Sequence, residues 1–176
     1  MILSLQIVWL NKVTSIILSN RFSEALIYAA ELHATQVRKG SGVPYIAHLL
    51  GTASIALEYA ASEDEAIAAL LHDAIEDGGG STTREAIRSR FGDTVTAIVD
   101  GCTDSDATPK PPSRHPKEAY IARILTASGW VRLVSAADKI YNARSILKDS
   151  GTYGRCVRSE TLDNRCITRV WRTLQV

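Results

Sequence analysis

The chain has few of the residues that build disulfide-stabilised or zinc-binding domains. Only three of its 176 residues are cysteines, and no two of them form a CxxC pair. An odd and scattered set favours a reducing compartment and argues against both a disulfide framework and a zinc knuckle. Five prolines and eleven glycines are also too few for a low-complexity chain.

An excess of charge of either sign is also missing. Lys and Arg together number 20 and Asp and Glu number 19, which gives a formal net charge of +1. A domain this close to neutral has no general electrostatic attraction for duplex DNA or for an anionic membrane. We therefore expect a cytoplasmic protein with no nucleic-acid and no membrane partner. A homo-oligomer stays an open alternative.

What the chain does have is ordinary globular composition, with 45% hydrophobic and 22% charged residues. Its length corresponds to one domain, on the usual scale of ~100–200 residues per domain. The one strongly apolar run is residues 1–10, and it is followed rather than preceded by a basic residue, Lys12. That order is wrong for a secretory signal. We expect residues 1–20 to be an N-terminal extension that packs on the domain or on a partner subunit, with a membrane anchor and an upstream start of little structural role as alternatives.

From Phe22 onward, apolar residues recur at helical spacing, and no segment alternates as a strand would. The sequence therefore predicts an all-α fold, a bundle of about seven to eight helices. We expect Ser62 with Glu65 to form a capping box, Thr82 with Glu85 to cap a later helix, and Asp93 to cap the next. The proline-rich residues 104–116 are expected to be a loop. The predicted helices cover residues 22–37, 48–61, 62–77, 82–91, 93–103, 117–126 and 130–149, with a last one beginning near residue 162.

The most informative segment is residues 70–77, Leu-Leu-His-Asp-Ala-Ile-Glu-Asp. On a continuous helix at about 100° per residue, His72, Asp73, Glu76 and Asp77 fall within an arc of about 140°, opposite an apolar face. Three carboxylates on one face, near a helix C-terminus, repel one another and oppose the helix dipole. We therefore expect a cation to compensate them. The alternative is an acidic face in solvent.

Two distant residues extend this group. Asp138 lies in an otherwise apolar helix, where a carboxylate must be paired or bound to a metal. His48 opens the helix that precedes the acidic segment. Two imidazoles and two carboxylates from three helices make a mixed nitrogen and oxygen site for a divalent ion such as Mn²⁺, Fe²⁺ or Zn²⁺. Asn142 follows Asp138 by four residues and so lies on the same helix face.

The order His48, His72-Asp73, Asp138 resembles the H…HD…D signature of the HD-domain phosphohydrolases. Residues 38–48 (RKGSGVPYIAH), 70–77 (LLHDAIED) and 137–144 (ADKIYNAR) are more closely similar to the hydrolase domain of the Rel/SpoT proteins, in order and approximate spacing. The sequence is similar to the stand-alone form of that domain, the metazoan SpoT homologue type. The resemblance implies an HD hydrolase domain over residues 21–149, followed by a tail over 150–176 with a short helix.

The resemblance also implies an activity, the Mn²⁺-dependent removal of the 3′-diphosphate from guanosine tetra- and pentaphosphate, (p)ppGpp. It implies that the metal ligands are His48, His72, Asp73 and Asp138. Glu76 and Asp77 would then orient or deprotonate the attacking water.

For the nucleotide, the resemblance implies that Arg38 and Lys39 line the guanine pocket and that Asn142 contacts the substrate. Helix-end cations that complement the dipole are the alternative for Arg38 and Lys39, and Tyr141 is either a core or a site residue. Four further cations are candidates for holding the diphosphate, or are solvated charges: Lys110, Arg114, Lys117 and Arg144.

Two other functions remain open on the sequence alone. One keeps the site and changes the substrate, to another phosphorylated nucleotide such as the 2′-phosphate of NADPH or a 5′-nucleotide. The other is a nucleotide sensor without catalysis, against which the retained His72-Asp73 and Glu76-Asp77 pairs weigh. His33 lies on an apolar stripe, and we expect a packing histidine with satisfied hydrogen bonds rather than a ligand.

Overall fold

The computed structural model describes residues 16–39, 41–103 and 116–149, and within these ranges it contains eight helices and no strand. The predicted all-α fold is confirmed. The bundle is built from short helices of 4 to 13 residues and one long helix of 21 residues, α8. The helices are α1 (Asn20–Leu32), α2 (Ile46–Glu58), α3 (Glu63–Leu71), α4 (Ala74–Asp77), α5 (Ser81–Phe91), α6 (Asp93–Cys102), α7 (Pro116–Thr126) and α8 (Gly129–Asp149).

Helix α3 lies at the centre of the bundle and packs against α1, α2, α6 and α8. Its residues 66–71 (Ala-Ile-Ala-Ala-Leu-Leu) are all fully buried. A helix that is apolar on every side is typical of a core position rather than of a surface. The capping box predicted at its start is confirmed, since the Ser62 side chain accepts from the Glu65 backbone N–H and the Glu65 side chain accepts from the Ser62 backbone N–H. The central position of α3 places its last residues, and the turn that follows, deep in the molecule.

The first helix is shorter than predicted. The apolar stripe suggested a helix to Val37, but α1 ends at Leu32. The following backbone groups bond across a tight hairpin instead: the Arg38 N–H donates to the Val43 carbonyl at 2.8 Å, and the Tyr45 N–H donates to the Gln36 carbonyl at 2.9 Å. Val37 and Pro44 form the bridge of this hairpin. The prediction was wrong because these residues bond to a later segment rather than to the preceding helical turn.

The continuous helix predicted over residues 62–77 is also wrong. It divides into α3 and α4, and His72 and Asp73 form the turn between them. The His72 Nδ1–H donates to the Ala69 carbonyl at 2.9 Å. In a continuous α-helix that carbonyl would accept from the backbone N–H of Asp73. The side chain therefore competes with the helix at the point where the helix ends.

Two predicted caps are wrong by one or two residues. Helix α5 begins after Gly80 and α6 begins after Gly92, in each case without a side-chain cap. Both glycines have positive φ, 63° for Gly80 and 90° for Gly92, in the left-handed region that glycine adopts without steric cost. Sharp turns through glycine replace the expected Thr82 cap, and Asp93 becomes the first residue of α6 rather than its cap.

Several predictions lie outside the described residues. These are the structure of residues 1–15, most of the predicted loop over 104–116, and the tail with its helix near 162. Pro116, expected to close the loop, is instead the first residue of α7. Among the described helices, none combines the length and the apolarity that crossing a bilayer requires.

Gly51 allows α8 to pack closely against α2, and this contact brings Tyr141 of α8 next to His48 of α2. A Cβ atom built at Gly51 would overlap the ring of Tyr141, so the ring lies directly on the α2 backbone. The same ring lies 5.1 Å from the His48 imidazole, measured between centroids. The close approach of α8 to α2 therefore depends on the absence of a side chain at residue 51.

We expect Gly51→Ala to destabilise the protein despite the better helix propensity of alanine. The methyl group would displace the Tyr141 ring, and overpacking of this kind costs about 1–3 kcal/mol, against a propensity gain of about 1 kcal/mol. The matched control is Gly129→Ala, because a Cβ there meets nothing within 4 Å. Urea unfolding of both variants gives the comparison, and a Gly51→Ala protein as stable as Gly129→Ala would contradict this packing.

Candidate metal centre and substrate site

Four of the predicted site residues converge on one point. His48 comes from α2, His72 and Asp73 from the turn between α3 and α4, and Asp138 from α8. The two imidazole Nε2 atoms are 3.2 Å apart. Oδ2 of Asp73 lies 3.3 Å and 3.1 Å from the Nε2 atoms of His48 and His72, and Oδ1 of Asp138 lies 3.4 Å and 3.7 Å from the same two atoms.

This arrangement fits a divalent metal ion. One nitrogen each of His48 and His72 and a carboxylate oxygen of Asp138 lie within 4.8 Å of one another, and all three residues are buried. The Nδ1–H of His72 is fixed by the Ala69 carbonyl, so a neutral ring presents its Nε2 lone pair to the centre of the cluster. Imidazole and carboxylate are ligands that suit first-row divalent metals.

Three neighbouring side chains hold the two carboxylates. The Tyr45 hydroxyl donates to Asp73 Oδ2 at 2.6 Å. The Asn142 amide donates to Asp138 Oδ1 at 2.5 Å, as the spacing of four residues predicts, and the Lys139 ammonium donates to Asp138 Oδ2 at 2.8 Å. Outer contacts of this kind fix the orientation of metal-binding carboxylates.

Neighbouring groups favour the charged form of both carboxylates in the cluster. Burial alone would raise the pKa of Asp73, but the His72 and His48 imidazoles, together with the Tyr45 hydroxyl, outweigh it and hold that pKa well below its ordinary range. The pKa of Asp138 is likewise lowered against the effect of its burial, by His72 and Lys139.

The charges of the two carboxylates also act on the pKa of His72. Burial would lower the pKa of His72, but the carboxylates of Asp73 and Asp138 outweigh it and raise that pKa to about 10. A proton on His72 thus supplies positive charge in the absence of a metal. Burial, followed by the charge and hydrogen bond of Asp73, also raises the pKa of Tyr45 well above its ordinary value, so this hydroxyl remains a donor.

The predicted water-handling acids lie one turn beyond the cluster, on α4. Glu76 is half-buried and Asp77 is exposed. The Asp77 carboxylate accepts a hydrogen bond from the Gln36 amide at 2.8 Å. The charge of Asp77 contributes to the raised pKa of Tyr45, which places Asp77 in the electrostatic neighbourhood of the site. Of the three acids for which a cation is expected, Asp73 lies against the His48 and His72 imidazoles, and Asp77 accepts from a neutral amide.

Three predicted substrate residues form a group beside the cluster. The Arg38 guanidinium donates to the Asn142 side-chain oxygen at 2.8 Å and lies 5.9 Å from the centroid of the Tyr141 ring. Because α1 ends six residues earlier, Arg38 and Lys39 do not end a helix, and the helix-dipole alternative for them is wrong. Tyr141 is half-buried and packs against the core as well as against the site, so both of its predicted roles have contacts.

The other predicted cations are less closely tied to the cluster. Lys39 is exposed in the hairpin. Arg144 is exposed on α8, about 200° around the helix from Asn142 at 100° per residue. Lys117 lies in α7, but its side chain is outside the described part of the structure, as are Lys110 and Arg114 altogether.

Three residues that contact the site were not predicted from the sequence: Gln36, Tyr45 and Lys139. Spacing offers a signal for each in retrospect: Tyr45 precedes His48 by three residues, Lys139 adjoins Asp138, and Gln36 follows His33 by three. His33 is buried as expected, and its Nδ1 bonds to the Gln36 side-chain oxygen at 2.6 Å. Its Nε2 has no partner within the described part of the chain, so the expectation of full hydrogen bonding was wrong.

Comparison with known proteins places this geometry in a family. The family model described as HD domain matches residues 25–163. The guanosine-3′,5′-bis(diphosphate) 3′-pyrophosphohydrolase MESH1 of Danio rerio is 38% identical over 126 residues, which are 70% of this chain and 67% of that protein. The human protein of the same name is 36% identical over 70% of this chain and 68% of its own length. A Haemophilus influenzae enzyme, also named as a 3′-pyrophosphohydrolase of this nucleotide, is 33% identical over 78% of this chain but 20% of its own.

A solved structure described as "A metazoan ortholog of SpoT hydrolyzes ppGpp and plays a role in starvation responses" has the same fold. It superposes with a TM-score of 0.66 at 32% sequence identity, over 74% of this chain and 72% of that chain. The family model, the relatives and the solved structure all agree with the geometry of the site, in which His48, His72, Asp73 and Asp138 converge. The chain belongs to the HD domain family.

Proposed function

We propose that this protein is a metal-dependent phosphohydrolase that removes the 3′-diphosphate of guanosine tetra- and pentaphosphate, so that ppGpp yields GDP and pyrophosphate. The observation that carries the proposal is the convergence of His48, His72, Asp73 and Asp138 next to the Arg38–Asn142–Tyr141 group. The support from relatives is that MESH1 proteins, named for this reaction, are 36–40% identical over 70% of the chain. A cytoplasmic location and a soluble nucleotide substrate belong to the same proposal.

The four converging residues would hold the metal, and we propose Mn²⁺ as the ion because the nitrogen and oxygen ligand set suits it and the Rel/SpoT resemblance implies it. A divalent ion in this position supplies Lewis-acid polarisation of a phosphoryl oxygen and eases deprotonation of the attacking water. The protein keeps the two carboxylates in place through Tyr45 and Asn142, which donate to Asp73 and Asp138.

Glu76 and Asp77 are proposed to orient the attacking water and to accept its proton. They follow His72 and Asp73 by one turn, on a short helix whose N-cap is Asp73, and the Asp77 backbone N–H donates to the Asp73 carbonyl at 3.0 Å. The Asp77 carboxylate accepts a hydrogen bond from the Gln36 amide, and a carboxylate close to the attacking water can act as its general base.

Arg38 is proposed to bind the guanine base. Its guanidinium is planar and can stack on a purine, and its contact with Asn142 fixes its position before the substrate arrives. Because Asn142 also donates to Asp138, the base-binding group and the metal site share one residue. The base would therefore bind next to the reacting diphosphate, with only the Asn142 side chain between the two groups.

We expect purified protein with Mn²⁺ to convert ppGpp to GDP and pyrophosphate, with no orthophosphate as the first product. A site that cleaves the bond between ribose and diphosphate releases the diphosphate intact. The measurement is product identification by anion-exchange chromatography at low conversion. NADPH and a 5′-nucleotide serve as competing substrates in parallel reactions.

Orthophosphate as the sole first product, or faster turnover of NADPH, would support the alternative nucleotide phosphatase. Nucleotide binding without any turnover in the presence of Mn²⁺ would support the sensor. Arg38→Ala sharpens the comparison, because loss of base stacking should raise KM more than it lowers kcat.

Metal stabilisation should increase with pH. Without metal, the raised pKa of His72 gives stability that is fully present below its unfolded pKa of about 6.5 and is lost as pH rises through the folded pKa of about 10. A metal ion needs the neutral imidazole, so it competes with this proton and binds more tightly as pH rises. The increase in unfolding free energy on adding Mn²⁺ should therefore grow between about pH 6.5 and 9, by at most about 1.4 kcal/mol per pH unit for one proton.

Chemical unfolding with a chelator and with excess Mn²⁺ at several pH values measures this difference. The control is Asp73→Asn, which removes both a ligand and the leading cause of the raised His72 pKa, and it should bind metal weakly at every pH. A metal-induced gain that is the same at pH 6.5 and pH 9 would contradict the competition.

Glu76→Gln and Asp77→Asn should lower kcat while leaving metal content unchanged. Removal of a general base costs about 10²–10⁴-fold in rate, and loss of an interaction made in the transition state leaves KM little changed. Metal content by mass spectrometry and single-turnover rates are to be compared for both variants. Loss of metal in proportion to rate would make these residues ligands, and full rate with full metal would make them solvated helix-end acids.

A further inference from the structure

We propose that Gln36, held by His33, is a positioning residue that sets the orientation of the Asp77 carboxylate. This inference rests on the proposed function, in which Asp77 handles the attacking water. Neither Gln36 nor His33 belongs to the metal cluster or to the base-binding group. Gln36 connects His33, a buried histidine just after α1, to Asp77 on α4, which lies 44 residues after His33 in the sequence.

The two hydrogen bonds form a chain with a defined direction. His33 Nδ1 bonds to the Gln36 side-chain oxygen at 2.6 Å, and the Gln36 side-chain nitrogen donates to Asp77 Oδ2 at 2.8 Å. An amide oxygen only accepts, so His33 carries its proton on Nδ1 in this contact. A flipped amide would set its N–H against the His33 Nδ1–H and its oxygen against the Asp77 carboxylate, so the histidine and the acid favour the same orientation of Gln36.

His33 and Gln36 are both anchored in the fold. The His33 ring is buried, with 3% exposure, and is stacked on the Tyr45 ring at 5.2 Å between centroids. The Gln36 backbone carbonyl accepts from the Tyr45 N–H in the hairpin. Tyr45 in turn donates through its hydroxyl to Asp73. One hairpin thus holds a proposed metal ligand through Tyr45 and a proposed water-handling acid through Gln36.

Asp77 needs an external restraint. It is exposed, it is the last residue of a helix of four residues, and Gly78 follows it. A short exposed helix end gives a carboxylate little rotational constraint, and effective catalysis requires the reacting groups to be held within a narrow geometry. The Gln36 amide supplies that restraint without adding a positive charge that would weaken the carboxylate as a base.

The test compares steady-state kinetics and Mn²⁺ content of Gln36→Leu, Gln36→Glu and Asp77→Asn with ppGpp. Gln36→Leu removes both hydrogen bonds and should lower kcat about 10- to 100-fold, with KM and metal content close to wild type. Gln36→Glu keeps the acceptor for His33 but turns a carboxylate toward Asp77, so it should lower kcat at least as much.

The histidine is tested by a pair of variants. His33→Asn keeps a side-chain N–H close to the position of Nδ1 and should retain most of the rate. His33→Phe keeps a ring against Tyr45 but has no donor, and it should lower kcat in the same way as Gln36→Leu. A merely structural role would make His33→Phe the milder change, because it preserves the apolar packing better than asparagine does.

The double variant Gln36→Leu/Asp77→Asn gives the decisive comparison. If Gln36 acts through Asp77, the double variant should have the kcat of Asp77→Asn alone, since there is no base left to position. The matched control is Arg84→Met, which removes a 2.7 Å ion pair with Asp100 between α5 and α6, two helices that contribute no residue to the cluster, and it should leave kcat unchanged.

The outcomes separate this inference from the proposed function. If Asp77→Asn lowers kcat while Gln36→Leu does not, or if the two losses multiply in the double variant, the positioning role is wrong and the proposed function stands. If Asp77→Asn keeps full rate, the role proposed for Asp77 fails, and this inference fails with it. Thermal unfolding of each variant identifies any loss that comes from misfolding, and for such a variant the His33→Asn and His33→Phe pair decides.

Discussion

The rest of the structure depends on how buried carboxylates are compensated where α2, α3 and α8 meet. Asp138 on α8 is 8% exposed and has core residues beside it on the same helix. Asp138 and Asp73 lie against the same two imidazoles, those of His48 and His72. An isolated carboxylate would not remain charged in such surroundings. Here the carboxylates keep their charge because imidazoles, a lysine, an amide and a tyrosine hydroxyl surround them. A site with this field binds a proton or a metal ion, and both uses follow from the same arrangement.

The points where regular helices end or come unusually close position the residues of that site more than the regular helices themselves do. The end of α3 at Leu71 sets the His72-Asp73 pair in a turn, so that both side chains face the cluster instead of rising along one helix face. The early end of α1 leaves residues 36–39 and 41–45 to form a hairpin, which contributes Arg38, Tyr45 and Gln36 to the same region. A glycine at residue 51 lets α8 approach α2 closely enough for Tyr141 to reach His48.

Much of this could be predicted from the sequence, because helical periodicity reports which residues are buried. The all-α fold, the Ser62 capping box and the placement of Asn142 on the same helix face as Asp138 follow from local spacing, and the structure confirms them. The turn at His72 and the hairpin after Leu32 could not be predicted in this way. Both depend on bonds to distant or competing groups, the Ala69 carbonyl in one case and the 43–45 backbone in the other, which periodicity does not report. The positions of Gln36 and Lys139 depend on tertiary contacts in the same way.

His48, His72, Asp73 and Asp138 are proposed to bind one divalent ion together. The most direct measurement is anomalous diffraction from crystals grown with Mn²⁺, with data collected on both sides of the manganese absorption edge. We expect one anomalous peak per chain, within coordination distance of both Nε2 atoms and of one oxygen from each carboxylate. A fully occupied manganese peak elsewhere in the chain, with the two imidazoles still 3.2 Å apart as they are here, would contradict it.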